Sequence, residues 1–524
     1  MAVTGEEGML WIGDYAAECA GLDPNRFAII TVETGEKLTY RELDRRIARA
    51  MALLRDEGLK VGDRFAYLGR NDAFYYVLIL AAARAGLLFV PLNWRCPAPE
   101  VAHFLADSDP KLLFADAEFQ PVAAAALAPG ARTKILSTRL GDAGDRTFVL
   151  AVEAQGEEVR TAVPKDDRGL LILYTSGTSG APKGVVVTHH GFSLMRHMEI
   201  ISPDFPEWRD ETMVAAMPNF HVAGISWMFM GLMRQSTCVL TSDPSAPNLT
   251  RLIRDHSAAR TFAVPTVIRD IVDEVRRTGE PLPTLRMFLY GAMPIGETLL
   301  RDAMDTLGCS FLQYYGMTEI SGSATFLAPR YHSLERPDLM QSVGRPFAGS
   351  ELEIRDEQGL RVAVGEAGEI YVRTPTLTPG YWNRPEATQA AIGPDGWYRS
   401  GDGGRLDENG FVYLTDRIKD MIITGGENVY PNEVEEVLIQ HPAVQASAVV
   451  GRPDPRWGQA VVALVELVPG GRASAESIIA FARERLAGFK CPKRVDFVPS
   501  LPRTASGKIR RQEARRLMLQ QPNA

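Results

Sequence analysis

Two hydrophobic periods alternate along the chain. Thr39 carries Glu42 three positions later, and Leu43, Ile47, Ala50 and Leu54 then recur at helical spacing, which predicts a capped amphipathic helix over 39–54. Arg64-Phe65-Ala66-Tyr67-Leu68 reads as a strand, Asp72 to Ala85 as an apolar helix stopped by Gly86, and Leu88 to Leu92 as a second strand. Strand, helix, strand in this order predicts a parallel sheet with helices on its faces. The alternation recurs to about residue 330, punctuated by proline and glycine, with no repeats or low-complexity tracts.

From 343 to 415 the pattern changes. Glu351 to Arg355 and Glu369 to Arg373 alternate as half-buried strands do, and Asp395-Gly396 and Asn409-Gly410 mark turns. A smaller, mainly β subdomain is predicted. Asp416-Arg417-Ile418-Lys419-Asp420 follows as a charged linker. Residues 420–524 read as a compact α/β module, with strands near 421–423, 445–451 and 461–467 and helices near 431–440 and 474–487.

Composition narrows the class. A chain of 524 residues is expected to form two or more domains. Hydrophobic content of 45% and charged content of 23% are ordinary for a globular enzyme. A net charge of −8 argues against a nucleic-acid footprint across the whole surface. The five cysteines have no paired spacing, which favours neither a disulfide frame nor a zinc site and suits a reducing compartment. No basic-then-apolar leader is visible, and no apolar run approaches the ~20 residues of a membrane helix. A cytoplasmic protein is expected. The adjacent His189 and His190 read as structural, with no metal role.

Candidate chemistry concentrates in Tyr174-Thr175-Ser176-Gly177-Thr178-Ser179-Gly180-Ala181-Pro182-Lys183-Gly184, between the apolar runs Leu170 to Leu173 and Val185 to Val187. This reads as strand, glycine-rich loop, strand. Glycines let the backbone approach a ligand, successive N–H groups cradle an anion, and hydroxyls with one lysine add donors. The chemistry suits a polyphosphate. It is not a Walker A loop, because Lys183 stands between Pro182 and Gly184 and β-branched residues follow instead of a helix. Taken alone, the stretch also reads as a flexible surface loop.

Further motifs stand in order from Thr39-Tyr40-Arg41-Glu42-Leu43, through Gly291-Ala292-Met293-Pro294, Tyr315-Gly316-Met317-Thr318-Glu319 and Tyr398-Arg399-Ser400-Gly401-Asp402, to Ser506-Gly507-Lys508. Together with the glycine-rich stretch this set resembles the adenylate-forming superfamily of acyl-CoA synthetases, luciferases and adenylation domains, over nearly the whole chain. The bacterial fatty-acyl and aryl-CoA ligases are the subfamily it is most similar to. The resemblance implies an α/β fold: a large N-terminal domain of layered α/β sheets with a β subdomain, and a small mobile α+β C-terminal domain. It places the N-terminal domain at 1–416, a hinge at 417–419 and the C-terminal domain at 420–524.

The same resemblance implies residue roles. Thr175, Ser176, Gly177, Thr178, Ser179, Gly180 and Lys183 would hold the phosphates of ATP. Gly291 and Ala292 would line the adenine and acyl pockets, beside Tyr314, Tyr315, Gly316 and Met317. Tyr315 would stack on adenine, Thr318 would touch the α-phosphate and Glu319 would hold Mg²⁺. Asp402 would bind the ribose, with Arg417 assisting. Lys419 would be the hinge, Lys508 the lysine bridging carboxylate and α-phosphate, and His221 the gate beside the acyl pocket. Gly425, Gly426 and Glu427 would line a pantetheine tunnel, and Trp457, Phe489 and Lys490 would hold the CoA nucleotide. Cys491 departs from the pattern, standing where some relatives carry an arginine next to Lys490.

The implied reaction is acyl-CoA formation through acyl-AMP, with ATP, Mg²⁺ and CoA. Loading of a carrier-protein phosphopantetheine is the alternative. Expected partners are small molecules, with a homodimer left open and no nucleic acid. Ala223, Ile225, Trp227, Met228, Gly322, Ser323 and Ala324 form the expected acyl pocket, mostly apolar. Tyr314 stands where malonyl-CoA synthetases carry an arginine. A hydrophobic monocarboxylate is therefore the expected acid.

Overall fold

The computed structural model describes residues 9–138, 148–156, 158–159, 166–175, 182–293, 295–417, 420–424, 427–454, 457–503 and 509–520. They form two compact units, Met1–Glu351 with Val372–Tyr398, and Leu352–Tyr371 with Arg399–Ala524.

The larger unit holds two sheets. In the six-stranded one, Lys134–Ser137, Leu112–Ala115, Arg64–Leu68, Leu88–Pro91 and Gly169–Thr175 run parallel, and Lys183–Thr188 closes the edge antiparallel. In the nine-stranded one, Phe27–Thr31, Thr237–Leu240, Thr212–Ala215, Arg260–Ala263, Met287–Gly291 and Ser310–Tyr315 run parallel between antiparallel edges. The predicted strand–helix–strand order is thus realised. Thr39 caps the helix Tyr40–Asp56 in a full capping box with Glu42. Asp72 caps Ala73–Ala85, and Gly86 ends it in the left-handed region at φ 67°. No other residue type enters that region at so little cost.

The helix Ala73–Ala85 is apolar except for Arg84, which pairs with Asp44 at 2.6 Å, and is buried along its length. A helix of that kind needs protein all round it. Its Tyr75 ring packs at 5.1 Å on Phe89 of the six-stranded sheet, and its Tyr76 ring lies 6.1 Å from Phe229, on the helix Val222–Met233. One continuous core therefore reaches from Phe65, Phe89 and Phe114 of the one sheet to Met213, Leu240 and Leu289 of the other.

A reciprocal amide pair joins the strand ends of the two sheets. The Asn71 side chain donates to the carbonyls of Met217 (2.9 Å) and Thr241 (3.0 Å), and accepts from the Asn219 N–H (2.9 Å). The Asn219 side chain donates back to the Arg70 carbonyl at 2.9 Å. Asn71 follows the strand Arg64–Leu68, and Asn219 follows Thr212–Ala215.

The second unit contains a four-stranded sheet, Glu351–Arg355, Gly368–Arg373, Tyr398–Leu406 and Val412–Arg417, and a five-stranded one. The long pair Val444–Asp454 and Gly458–Leu467 centres the latter. Its alternate residues face two cores: Val449, Val461, Ala463 and Val465 pack with Val434, Leu438 and Ile478, while Ala448, Val450, Val462 and Leu464 pack with Ala514 and Met518. The helices fall at Pro431–Leu438, Ala475–Arg483 and Arg511–Gln520. Two local expectations change. Asp416 and Arg417 end the strand Val412–Arg417 and are not linker. Residues 372–398 leave the expected β subdomain for the larger unit, because their backbone bonds to the glycine-rich hairpin there. Among the described residues no helix is long and apolar enough to cross a membrane.

Asn71→Ala strands buried partners on both sheets. It is expected to destabilise the fold by about 2–4 kcal/mol, read from chemical unfolding.

Candidate functional site

The site segments of the larger unit share one feature: each follows the C-terminal end of a parallel strand. The glycine-rich loop follows Gly169–Thr175, Ala292 follows Met287–Gly291, Gly316 to Glu319 follow Ser310–Tyr315, and Asn219 to His221 follow Thr212–Ala215. Ligand crevices in open α/β sheets form at this edge.

Thr175 pairs with Lys183 in register, so the intervening loop leaves and re-enters at one end of a hairpin. Ser176, Gly177, Thr178, Ser179 and Gly180 lie outside the described residues. The segment 374–382 straps the hairpin to the second motif. On the hairpin side, the Val186 N–H donates to the Gly380 carbonyl (3.1 Å), the Trp382 N–H to Gly184 (2.7 Å) and the Thr378 hydroxyl to Val186 (2.5 Å). On the motif side, the Thr378 N–H donates to the Glu319 carbonyl (2.7 Å) and the Thr376 hydroxyl to Ile320 (2.9 Å). The Ser321 hydroxyl returns a bond to the Thr376 carbonyl at 2.8 Å.

Tyr381, on this strap, stands between the two charged candidates. Its hydroxyl donates to Glu319 Oε1 at 3.0 Å, and Lys183 Nζ lies 5.0 Å from the centre of its ring. Glu319 is buried. Burial, and then the Glu319 carboxylate, push the Tyr381 phenol well above its usual range. The ring is therefore a neutral donor at any working pH. A cation on its face and a carboxylate at its edge suit the quadrupole and the hydroxyl respectively.

The turn after Ser310–Tyr315 is built on glycine. A Cβ on Gly316 would stand 2.1 Å from the Gly322 carbonyl oxygen, and one on Gly291 2.6 Å from that of Tyr314. Ala292 sits in the left-handed region at φ 65°, a conformation that costs a residue with a Cβ roughly 1–2 kcal/mol. Thr318 begins a single 3-10 turn, Thr318–Ile320, which carries Glu319. Tyr315 is buried, while Tyr314, Met317 and Thr318 are half-buried.

His221 caps the helix Val222–Met233 by backbone only. Its ring lies 4.6 Å from Phe220, and its Nε2 is buried without a hydrogen-bond partner. Burial, and then the Arg95 guanidinium, push its pKa down to about 4. Of the expected pocket residues, Ala223, Gly322 and Ser323 are half-buried, whereas Ile225, Trp227, Met228 and Ala324 are closed off in the core. Trp227 is held there by its indole N–H, which donates to the Val214 carbonyl at 2.9 Å.

In the second unit Asp402 and Arg417 are register partners, with a bulge between Asp402 and Gly404. The Asp402 N–H donates to Ser400 Oγ at 3.1 Å, and Ser400 Oγ to the Ile370 carbonyl at 2.7 Å, which fixes this turn. The side chains of Arg417 and Glu427, and all of Lys419, Gly425, Gly426 and Lys508, lie outside the described residues. Arg503 and Ile509, which flank residues 504–508 in sequence, bridge antiparallel. Trp457 and Phe489 are 40% and 37% exposed, large rings at the surface. Lys490 Nζ pairs with Glu433 at 2.6 Å. Cys491 points inward, its thiol donating to the Ala487 carbonyl at 3.4 Å, and burial pushes that thiol up.

Residues 17–382 match the family of AMP-binding enzymes, and residues 433–508 match the AMP-binding enzyme C-terminal domain. The chain belongs to the AMP-binding enzyme family. This adenylate-forming enzyme is 38% identical over 483 residues to the fatty acid–[acyl-carrier-protein] ligase ScoC of Streptomyces coeruleorubidus, covering 92% of each chain. It is 37% identical to the feruloyl-CoA synthase of an Amycolatopsis species, over 96% of this chain and 98% of that one. It is similar in structure to the o-succinylbenzoate CoA synthetase of Bacillus subtilis in complex with its acyl-adenylate, with a TM-score of 0.84 and 29% identity over 97% of this chain and 98% of that one. The enzyme is an acid–thiol ligase. Its two-domain α/β fold, with a small C-terminal domain, is that of the family.

Sequence reasoning passed over Tyr381 and its strap. The signal was there: Thr374, Thr376 and Thr378 alternate at strand period ahead of Gly380-Tyr381-Trp382, and all three threonines are buried. Buried hydroxyls at period two point to polar partners on one face.

Tyr381→Phe removes one donor to a buried carboxylate. Acid-dependent ATP–pyrophosphate exchange is expected to fall about tenfold with little change in stability. His221 is neutral when folded and titrates near 6.5 when unfolded. The unfolded chain thus binds the extra proton between these values, and stability from this group is lost as pH falls from 6.5 towards 4. His221→Phe should flatten that acid limb, measured by denaturant unfolding at several pH values.

Proposed function

We propose that the enzyme is an ATP-dependent acyl-CoA ligase for a hydrophobic monocarboxylate. A substrate carboxylate oxygen attacks the α-phosphorus of ATP; the acyl–phosphate bond forms, the bridge to the β-phosphorus breaks and pyrophosphate leaves. The thiol of CoA then attacks the acyl carbon; the carbon–sulfur bond forms and AMP leaves. The observation that carries this reading is the triad Lys183, Tyr381 and Glu319, strapped to the hairpin of Gly169–Thr175 and Lys183–Thr188, whose strands the glycine-rich stretch joins in sequence. Two anions must meet in the first step, so cations and directed N–H groups are needed where charge accumulates.

In this reading Thr175, Ser176, Gly177, Thr178, Ser179, Gly180 and Lys183 bind the β- and γ-phosphates, and Thr318 the α-phosphate. Gly291, Ala292, Tyr314, Tyr315, Gly316 and Met317 border the adenine, and Asp402 with Arg417 takes the ribose. Lys508 bridges the reacting groups, Lys419 is the hinge at 417–419, and His221 gates the acyl pocket as a neutral ring. Gly425, Gly426, Glu427, Trp457, Phe489 and Lys490 serve CoA after the 420–524 domain turns. The buried oxygens of Glu319 fit Mg²⁺, a hard ion held by one or two carboxylates together with substrate phosphates. When bound, the ion offsets phosphate charge.

A second reading, loading of a carrier-protein phosphopantetheine, is favoured by the 38% identity to an enzyme named for that acceptor. Both readings share the acyl-AMP. Free CoA against loaded carrier as acceptor separates them.

The test is thioester formation across fatty, aryl and ring-bearing acids with ATP, Mg²⁺ and CoA. AMP and pyrophosphate are the expected products, and ADP with phosphate would overturn the reading. Lys508→Ala should lower pyrophosphate exchange by about 100-fold or more while added acyl-AMP still reacts with CoA. Equal loss in both halves would contradict the role given to this lysine. Trp457→Ala should spare exchange and raise the KM for CoA.

A further inference from the structure

The hairpin of Gly169–Thr175 and Lys183–Thr188 closes one edge of the six-stranded sheet, so the sheet holds Lys183–Thr188 from one side only. The strap holds it from another. A third element, the helix Ala98–Ser108, bonds to the chain before and after the glycine-rich stretch. His103 and Asp107 stand four residues apart on this helix and so share a face. Neither carries one of the roles proposed for ATP, acid or CoA.

Before the stretch, the Tyr174 hydroxyl donates to Asp107 Oδ2 at 2.9 Å, and the Tyr174 ring stacks on Phe104 at 4.5 Å. Burial, and then the Asp107 carboxylate, push this phenol well above its usual range, so it stays a donor. After the stretch, His103 Nε2 meets the Pro182 carbonyl at 3.3 Å. A carbonyl only accepts, so His103 carries a proton on Nε2. Asp107 also takes the end of the strap. Its Oδ1 pairs with Arg384 at 2.8 Å, and its side chain is only 8% exposed. Its carbonyl is one of the last four of the helix, which have no partner within an α-helix. That carbonyl accepts from Trp382 Nε1 at 3.0 Å and from Asn383 Nδ2 at 3.2 Å.

Each of these bonds lands one residue from a group at the candidate site. Tyr174 precedes Thr175, Pro182 precedes Lys183, and Trp382 follows Tyr381. Groups whose backbone is already fixed bind a ligand without first giving up conformational freedom. We propose that His103 and Asp107 are positioning residues for ATP, holding the two ends of the glycine-rich stretch at the spacing that the β- and γ-phosphates require. This rests on the ligase reading, in which that stretch takes those phosphates. It adds that AMP, which lacks them, gains nothing from the two residues.

The test titrates the full chain with Mg²⁺–ATP and, separately, with AMP, and reads the change in each Kd. Tyr174→Phe keeps the stacking on Phe104 and loses the bond to Asp107, and His103→Phe loses the bond to Pro182. Each is expected to weaken ATP about 3- to 10-fold and to leave AMP within about twofold. His103→Gln, which returns an N–H to that place, should recover most of the loss. A fold disturbed as a whole weakens both nucleotides together. ATP binding unchanged in either phenylalanine variant, AMP weakened as much as ATP, or no recovery with glutamine overturns the proposal and leaves the ligase reading intact. A wild type that binds ATP but forms no AMP from any acid overturns the ligase reading, whatever the two Kd values show.

Discussion

The strap from Thr374 to Trp382 is the constraint on which the rest of the site depends. In the proposed reading two motifs far apart in sequence face one ligand, yet strand pairing does not bring them together. The glycine-rich hairpin ends the six-stranded sheet, and the Tyr315 to Glu319 turn leaves the nine-stranded one. The strap bonds to both through its backbone and threonine hydroxyls. Backbone bonds fix position to a few tenths of an ångström without the rotamer freedom of long side chains. Tyr381 then lies between Lys183 and Glu319 because the chain on either side of it has no slack.

A second link between the two sheets is the Asn71 and Asn219 pair. Here too the join is amide to backbone, in a place nearly closed to water. Charge would be a poor substitute, since a buried ion pair must first repay its desolvation. The buried cluster of Arg196, Glu199 and Arg234 violates that rule. Burial pushes the Glu199 carboxyl above its usual range against the pull of both guanidiniums.

Much of the fold was legible from the chain. The capping box at Thr39 and Glu42, the stop at Gly86 and the apolar runs read as strands near 445–451 and 461–467 are local signals that tertiary packing reinforced. Residues 372–398 were misplaced because their partners are distant: a turn-rich stretch after a β run reads as more of the same subdomain until the hairpin is in view. The same cause hid Tyr381. The exposure of the expected pocket residues was not legible. Helical spacing alone does not tell which face of Val222–Met233 meets the sheet, and Trp227 turned to it because its indole N–H finds Val214 there.

In the ligase reading proposed above, the acid half and the thiol half of the reaction make different physical demands. The first concentrates charge and needs a fixed, partly dry frame, which the strap and the glycine turn provide. The second must admit a long, flexible thiol arm to a finished adenylate. Trp457 and Phe489 offer exposed rings that suit an incoming base or a pantetheine chain alike. Lys490 would have to leave Glu433 to meet a phosphate. A half-exposed pair of that kind is worth on the order of 1 kcal/mol, so a phosphate can take the ammonium at modest cost. Cys491 cannot share the task, because its side chain is spent on the core. In that reading, with Cys491 in place of an arginine beside Lys490, a smaller share of acceptor affinity comes from charge and a larger share from stacking.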